Sequence, residues 1–555
     1  MNTVIPFFLA CALAASAQTS APAESYDFVV YGGTAGGVIA AVSAAREGLR
    51  VALVEPGSHL GGMTTGGLSR TDFGKKEVIG GYALEFYWRL GRRYNIQQYA
   101  QDVVWFFEPK VGEEVLGDML RQAGVTVFLR HRLREKTGVE KSGATLRAIV
   151  AENGARFSAR VFADCSYEGD LMAQSGVAYT VGRESQAQLG ESLAGVRERT
   201  PFHQFLVRVS PYDAAGHLLP EVDPGPRATP GSADKKVQAY NFRIIVSSDP
   251  ANQVPFPKPP GYDPARYELL ARLLQATAAK LGRAPIMNEV VLIAPIPNRK
   301  ADINNQGAVS TDYIGKSWDY PDADYATRAR IWRDHVNYDQ GFLYFLAHDP
   351  RVPASLQQEV NSWGLARDEF ADTAHWPNQL YIREGRRMIG DFVFTQKDLQ
   401  TDLRKPDVIG MGSYNSDSHN IQRMATSDGA VENEGDMQVP VVPYQIPYRV
   451  MLPKREQGAN LLVPVCFSAS HVAYSSLRME PQYMILGEAA GTAAALAVRE
   501  DRPVQDIPVA ALQEKLRAQG AVFEWVQPPA GPAFFNRLFE LYDSAAGKRT
   551  LLPGQ

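Results

Sequence analysis

The first strong pattern in the chain is a short apolar run followed by glycines and then by small and apolar residues at helical spacing. Tyr26–Tyr31 (YDFVVY) has the character of a parallel strand buried on both faces. Gly32 to Gly37 (GGTAGG) predicts a tight turn, Val38–Arg46 a helix, and Arg50–Val54 a second strand ending at Glu55. Together they make one βαβ unit of about thirty residues. Val125–Leu129 predicts another strand. Arg147–Ala151, Arg156–Ser158 and Val161–Ala163 predict an antiparallel meander. From about residue 201 to 260 proline and glycine become frequent, which predicts loops and irregular β structure. Helices are expected near Arg266–Leu281 and Ala323–His348. Asn460–Val465 predicts a late strand, and Met484–Val498 an alanine-rich helix.

A turn of this kind suits a dinucleotide. The chain must turn sharply after the strand, its amides must approach a pyrophosphate at the helix N-terminus, and the helix must pack close to the sheet. Gly32 and Gly37 take the first and third places of the GxGxxG pattern, and Thr34 stands in the second, between Gly33 and Ala35–Gly36. The Thr34 hydroxyl offers a hydrogen bond to a phosphate there. Glu55 lies 23 residues after Gly32, where an acid accepts from ribose hydroxyls. Gly61-Gly62-Met63 then lets the backbone pass close to a flat ring. The reading is an α/β protein with a Rossmann-type dinucleotide domain in two segments, 26–200 and 405–505. Residues 201–404 are expected to form an inserted α+β cap or substrate domain, and 506–555 a C-terminal helical extension.

Composition narrows the class. The 555 residues are 45% hydrophobic and 21% charged, with a formal net charge of −4, so no basic field points to nucleic acid. Ile5–Ala15 is mostly apolar, and Ala15-Ser16-Ala17 fits a cleavage site before Gln18, although no Lys or Arg precedes the run. A signal peptide over 1–17, and hence a periplasmic or secreted protein, is the expectation. No later run reaches the roughly eighteen apolar residues of a membrane span. Beyond Cys11 only Cys165 and Cys466 remain, too few for a disulfide scaffold. None of the nine histidines forms HExxH and there is no CxxC, so no metal site is expected. GxxxxGK[ST] and GxSxG are absent as well.

The run Tyr31–Gly37, Glu55-Pro56 and His59–Gly67 resembles the FAD-dependent oxidoreductase family, often found in carbohydrate-digesting bacteria. Phe106-Phe107-Glu108-Pro109, Ala163–Asp170, Tyr414–Asn420 and Cys466–Ala495 are similar too, so the resemblance spans nearly the whole mature chain. It implies FAD as cofactor and places Asp164 at the ribityl or pyrophosphate region. The residues agree on a closing segment. After Asn460–Val465, the run Gly487, Glu488, Gly491 and Thr492 predicts a helix start whose amides face the flavin N1–C2=O edge. No second GxGxxG is present for NAD(P)H. The expected partners are therefore a small organic substrate, with a sugar or polyol suggested by the resemblance, and a separate electron acceptor.

Oxidation at a flavin needs a hydride delivered to N5 and a base for the accompanying proton. His471 and His419 are the candidate bases, and Arg478 the candidate for holding an oxyanion or carboxylate. Ser475 lies in the same stretch. The Arg383–Arg387 cluster either binds an acidic substrate or forms internal salt bridges. His59 is read as positioning the Gly61 loop, and Cys165 as a packing thiol. Two other readings fit the sequence: a flavin lyase or isomerase with no net redox, and a non-catalytic carbohydrate-binding protein.

Overall fold

A computed structural model of the chain describes residues 24–95 and 103–526. The expected signal peptide, 1–17, and most of the expected extension, 527–555, lie outside the described residues. The start of that extension is helical, at Val509–Ala518.

The opening unit is as predicted: β1 (Glu24–Tyr31), α1 (Ala35–Arg46) and β2 (Val51–Val54). Alternate β1 side chains point to opposite faces. Phe28 and Val30 enter one apolar core and Val29 and Tyr31 another, which explains why the strand is apolar without polar alternation. After α2 (Gly81–Arg93) and α3 (Pro109–Ala123) come β3 (Thr126–Phe128), β4 (Val139–Ser142), β5 (Thr145–Val150) and β6 (Arg156–Asp164). The sheet order is β3-β2-β1-β6-β5-β4. β3, β2, β1 and β6 are parallel, and β4 and β5 fold back antiparallel. The late strand Leu461–Leu462 joins the same sheet, parallel to β6 at Phe162 and Ala163.

The meander differs in one respect. Arg156–Ser158 and Val161–Ala163 are a single strand: the start of β6 pairs with β5, its end pairs with Leu461–Leu462, and β1 runs along the other edge. One strand thus carries a hairpin pattern and a parallel pattern in succession.

A second, five-stranded antiparallel sheet lies within 244–366. Its order is Val291–Ile296, Lys300–Asn305, Ile244–Ser247, Gly364–Ala366, Gln253–Val254. The helices Glu268–Leu281 and Tyr325–His348 lie in this stretch, where the sequence predicted them. The main apolar core runs without a break from Phe28 through Ile244 and Phe342 to Leu486, so the two sheets share it. Residues 408–447 form one long hairpin in three ladders. Among the described residues no helix is long and apolar enough to cross a membrane.

Candidate active site and cofactor cradle

Gly32 sits at φ +98, and a Cβ there would lie 2.6 Å from the Ser166 nitrogen. A Cβ on Gly37 would lie 1.9 Å from the Gly32 carbonyl oxygen. The turn therefore admits no side chain at either place. Thr34 caps α1: its Oγ1 accepts from the Gly37 amide at 3.1 Å and donates to the Cys165 carbonyl at 2.8 Å. The hydroxyl proton is spent inside the turn, so the expected Thr34 donation to a phosphate is corrected. The Ala35 and Gly36 amides, which have no partner within the helix, remain the donors at this end.

Glu55 accepts from the Gly33 amide at 2.6 Å and the Gly57 amide at 2.5 Å. Burial pushes its carboxyl up to about 7, against those two bonds. Each oxygen keeps a lone pair for a ribose hydroxyl. A cavity of about 430 Å³ opens beside it, lined by Tyr31, Pro56, Arg132, Ser166 and Trp332 among others.

Gly61 (φ +100) and Gly62 (φ +55) turn the next loop, which Tyr167 fastens. The Tyr167 hydroxyl accepts from the Met63 amide at 2.9 Å and donates to Glu480 Oε1 at 2.7 Å, while Thr64 Oγ1 donates to Glu480 Oε2 at 2.8 Å. Burial raises the Glu480 carboxyl to about 7 despite these bonds. His59 holds the start of the loop from outside, between Glu113 (3.2 Å) and Asp372 (2.9 Å), in keeping with a positioning role.

The closing helix requires a correction. It begins at Glu480, not near Met484. Gly487, Glu488, Gly491 and Thr492 therefore lie two to three turns inside it and pack on α1. A Cβ on Gly487 would meet the Gly36 carbonyl oxygen at 2.1 Å, and one on Gly491 the Ala40 carbonyl oxygen at 2.3 Å. Thr492 Oγ1 bonds Ser43 Oγ at 2.9 Å, and Glu488 Oε2 accepts from the Tyr82 amide at 2.8 Å. The glycines allow two helices to touch. The positive end of the helix is formed by Glu480, Pro481 and Gln482. Gln482 is fully buried, and neither its amide oxygen nor its amide nitrogen has a protein partner.

Asp164 is corrected as well. One oxygen accepts from the Ser166 amide (3.0 Å) and hydroxyl (2.7 Å), the other from the Met172 amide (2.7 Å). It is buried and builds its own turn behind Gly32 rather than facing a ligand. Cys165 and Cys466 are both free buried thiols, pushed well up by burial.

The three expected catalytic residues come together in a buried polar centre. His471 opens a short helix, and its Nδ1 lies 2.7 Å from Glu384 Oε2. Burial pushes the Glu384 carboxyl up, but His471 and Arg387 outweigh it and hold the group at about 2. His419 Nδ1 lies 2.6 Å from Asp312, whose other oxygen is 3.1 Å from Arg383. Burial, with Arg383 adding to it, lowers the His419 imidazole, which favours the neutral ring. Gln238 joins the two histidines: its Oε1 accepts from the His419 amide at 3.1 Å and its Nε2 donates to Glu384 at 3.0 Å. Arg478 donates to the Tyr381 hydroxyl at 3.0 Å and the Asp417 carbonyl at 2.7 Å, leaving its Nε unpartnered.

Ser475 spends its hydroxyl on the Val472 carbonyl within its helix. The arginine cluster is internal: Arg383 pairs with Asp312, Arg386 with Asp170 and Asp322, and Arg387 with Glu184 and Glu384. Glu384, Asp312, Gln238, Tyr167, Glu480 and Gln482 were not singled out from the sequence. Glu384, inside the RExRR run, and Tyr167, Glu480 and Gln482, inside segments shared with the family, carried a signal; Asp312 and Gln238 carried none. Among the described residues one acidic group has metal-like spacing, Glu108, Asp368 and Glu369. Its centre is taken by the Lys300 ammonium, at 2.5, 2.7 and 2.6 Å.

The fold and cradle define a dinucleotide-binding α/β protein. The model of the family described as FAD dependent oxidoreductase matches residues 27–516, so the chain belongs to that family and is an FAD-dependent oxidoreductase. No curated protein matches it. Solved structures are similar over parts of the chain. OxyS anhydrotetracycline hydroxylase from Streptomyces rimosus is 14% identical, over 34% of this chain and 38% of that one, at TM-score 0.21. L-proline dehydrogenase from P. horikoshii is 11% identical, over 29% and 59%, at TM-score 0.23. AlpK is 10% identical, over 57% and 50%, at TM-score 0.26. The chain spans less than two thirds of the length of each.

The residues fit FAD. The Gly32–Gly37 turn excludes side chains where a pyrophosphate needs backbone, the buried Glu55 carboxyl sits on the Gly33 amide with lone pairs to spare, and the Gln482 amide has no protein partner at the start of the closing helix.

Proposed function

We propose that the chain dehydrogenates a hydroxyl-bearing carbon of a small organic molecule, the class to which the sugar or polyol of the family resemblance belongs. The observation that carries this reading is the buried His471–Glu384 pair at 2.7 Å, beside His419–Asp312 and Arg478. FAD, when bound, would supply the two-electron acceptor for the hydride that leaves the substrate carbon. The Ala35 and Gly36 amides and Glu55 would hold its nucleotide part. The Gln482 amide offers a donor and an acceptor at the helix end.

Glu384 fixes the His471 ring by accepting from Nδ1–H. That tautomer leaves the lone pair on Nε2, which takes the substrate hydroxyl proton. Arg478, with Nε unpartnered, holds the oxygen as its negative charge grows. Burial of the whole centre excludes water and strengthens both interactions.

The test is anaerobic mixing of holoprotein with a panel of alcohols, polyols and sugars, read as loss of the flavin absorbance. A substrate that bleaches it lastingly and yields the matching carbonyl compound supports the proposal. A substrate converted with no lasting bleaching points instead to the non-redox lyase or isomerase. Export belongs to the same proposal, on the composition of residues 1–17. A mature N-terminus at Gln18 supports it, and retention of Met1 in protein recovered from its native cell refutes it.

A further inference from the structure

The cavity of about 430 Å³ near Glu55 is built by two parts of the chain that are far apart in sequence. Its floor is formed where the four parallel strands end. Tyr31 closes β1, Pro56 follows β2 and Glu55, Ser166 follows β6, and Arg132 follows β3. Ligands of open α/β sheets bind outside these carboxyl ends. The floor also adjoins the glycine turn. The Cys165 amide, next to Ser166, donates to the Tyr31 carbonyl at 2.7 Å, and a Cβ on Gly32 would run into the Ser166 nitrogen.

The roof comes from the 201–404 region. Tyr325, Arg328, Ala329, Trp332 and Arg333 line the cavity, and their spacing is that of one face of the helix Tyr325–His348. This face is fastened to the nucleotide domain. The Tyr325 hydroxyl donates to the Leu133 carbonyl at 2.9 Å, its amide donates to Glu135 at 2.8 Å, and the Arg132 guanidinium lies 4.3 Å over its ring. Arg328 reaches Asp170 at 2.7 Å. Trp332 is half-buried and set edge-on against Phe242, with centroids 5.4 Å apart.

The two acids in the lining already have partners. Glu168 accepts from the Tyr320 hydroxyl at 3.2 Å, and Asp170 is bridged by Arg328 and Arg386, each at 2.7 Å. What is left is mostly aromatic and guanidinium surface, which suits a flat aromatic base. Among the described residues that line the cavity, none belongs to the 61–67 loop or to the closing helix, so the flavin end of the cradle lies elsewhere.

We infer that this cavity holds the adenosine half of FAD, so that the helix Tyr325–His348 is itself part of the cofactor site and Trp332 covers the adenine. The ribose then falls to Glu55 and the pyrophosphate to the Ala35 and Gly36 amides. The 201–404 region closes on the cofactor as well as on the substrate. The inference rests on FAD as the cofactor and not on the alcohol-oxidising reaction.

The experiment uses holoprotein. FAD release is followed as the flavin fluorescence that appears on dilution. Trp332→Ala should release FAD about 5- to 100-fold faster, the range for one aromatic face lost from a base. Ala329→Phe puts a ring into the cavity from the roof and should speed release at least as much. Should either variant fold poorly, wild-type protein loaded with an azidoadenine analogue of FAD decides the matter. Irradiation is expected to label residues within 325–333, a result that a merely structural helix would not give. Unchanged release in both variants, or a label that misses 325–333, overturns the inference while leaving FAD in place. Wild-type protein that carries no flavin overturns it one step earlier, at the cofactor.

Discussion

The nucleotide turn and the polar centre are built on opposite plans. The turn is made of backbone. From Gly32 to Gly37 its specificity is the absence of side chains, and two distant groups, the Glu55 carboxylate and the Cys165 carbonyl, complete it. The centre is made of side chains from residues 238, 312, 384, 419, 471 and 478, each satisfied by a group far away in sequence. Removing room destroys the first; removing a charge or a proton acceptor destroys the second while the first persists. Flavin content and flavin reduction should therefore separate under mutation.

The largest effect is expected at Gly37. Gly37→Val places a Cβ 1.9 Å from the Gly32 carbonyl oxygen, a backbone atom that cannot turn aside. The variant should yield no holoprotein: a colourless sample, measured as the flavin-to-protein absorbance ratio. A yellow sample with normal stoichiometry would show that the turn does not hold the cofactor.

His471→Asn should do the reverse. Flavin content should stay at the wild-type level, and the rate of flavin reduction by a bleaching substrate should fall about 10²- to 10⁴-fold, the range for a lost general base. Its partner Glu384 allows a pH test. The folded carboxyl is held at about 2 against an ordinary 4.5, so its contribution to stability is complete above about pH 4.5 and is lost as pH falls toward 2. The full contribution is on the order of 3 kcal/mol. Glu384→Gln should therefore destabilise at pH 7 by about 3–5 kcal/mol, since Arg387 loses a buried counter-charge. In urea titrations the gap between variant and wild type should narrow between pH 5 and pH 3. A gap that stays constant would mean the carboxylate charge is not what the pair contributes.

Glu55→Gln sharpens the first half of the comparison. Its carboxylate accepts from Gly33 and Gly57, and a neutral amide can accept at only one atom. The FAD dissociation constant should rise about 10- to 100-fold, the value of one charge-assisted bond. Titration of apoprotein by flavin fluorescence quenching measures it, and no change would remove Glu55 from the cradle.

The same division explains what could be read from the sequence. β1, α1 and β2 were legible because apolar runs, glycine spacing and a strand-end acid are all local. The helix over 480–500 was legible as a helix but not as to its start: the sequence shows glycines at 487 and 491, while the cap is Met479 and the first turn carries Glu480 and Gln482, two polar residues whose burial only the fold reveals. Glycine was read as room for a cofactor where it is room for another helix. His419, His471 and Arg478 were legible as candidates by residue type. Gln238 and Asp312 were not, because nothing near them in sequence distinguishes them from surface polar residues.

Thr492 gives the smallest effect and the cleanest check of that correction. In the sequence it stood in the cofactor set, with Gly487, Glu488 and Gly491. In the structure its Oγ1 lies 2.9 Å from Ser43 Oγ and 2.9 Å from the Glu488 carbonyl, in the contact between α1 and the closing helix, with Gln519 Oε1 at 3.3 Å. Ser43 Oγ also donates to that carbonyl at 2.9 Å, so removing the threonine hydroxyl strands no buried acceptor. Thr492→Val keeps the shape and removes one net hydrogen bond, which should cost about 1 kcal/mol in chemical denaturation. Flavin stoichiometry, FAD dissociation constant and reduction rate should all match wild type. A drop in FAD affinity beyond about twofold, with stability unchanged, would return residues 487–492 to the cofactor and make the Glu480–Gln482 turn a bystander.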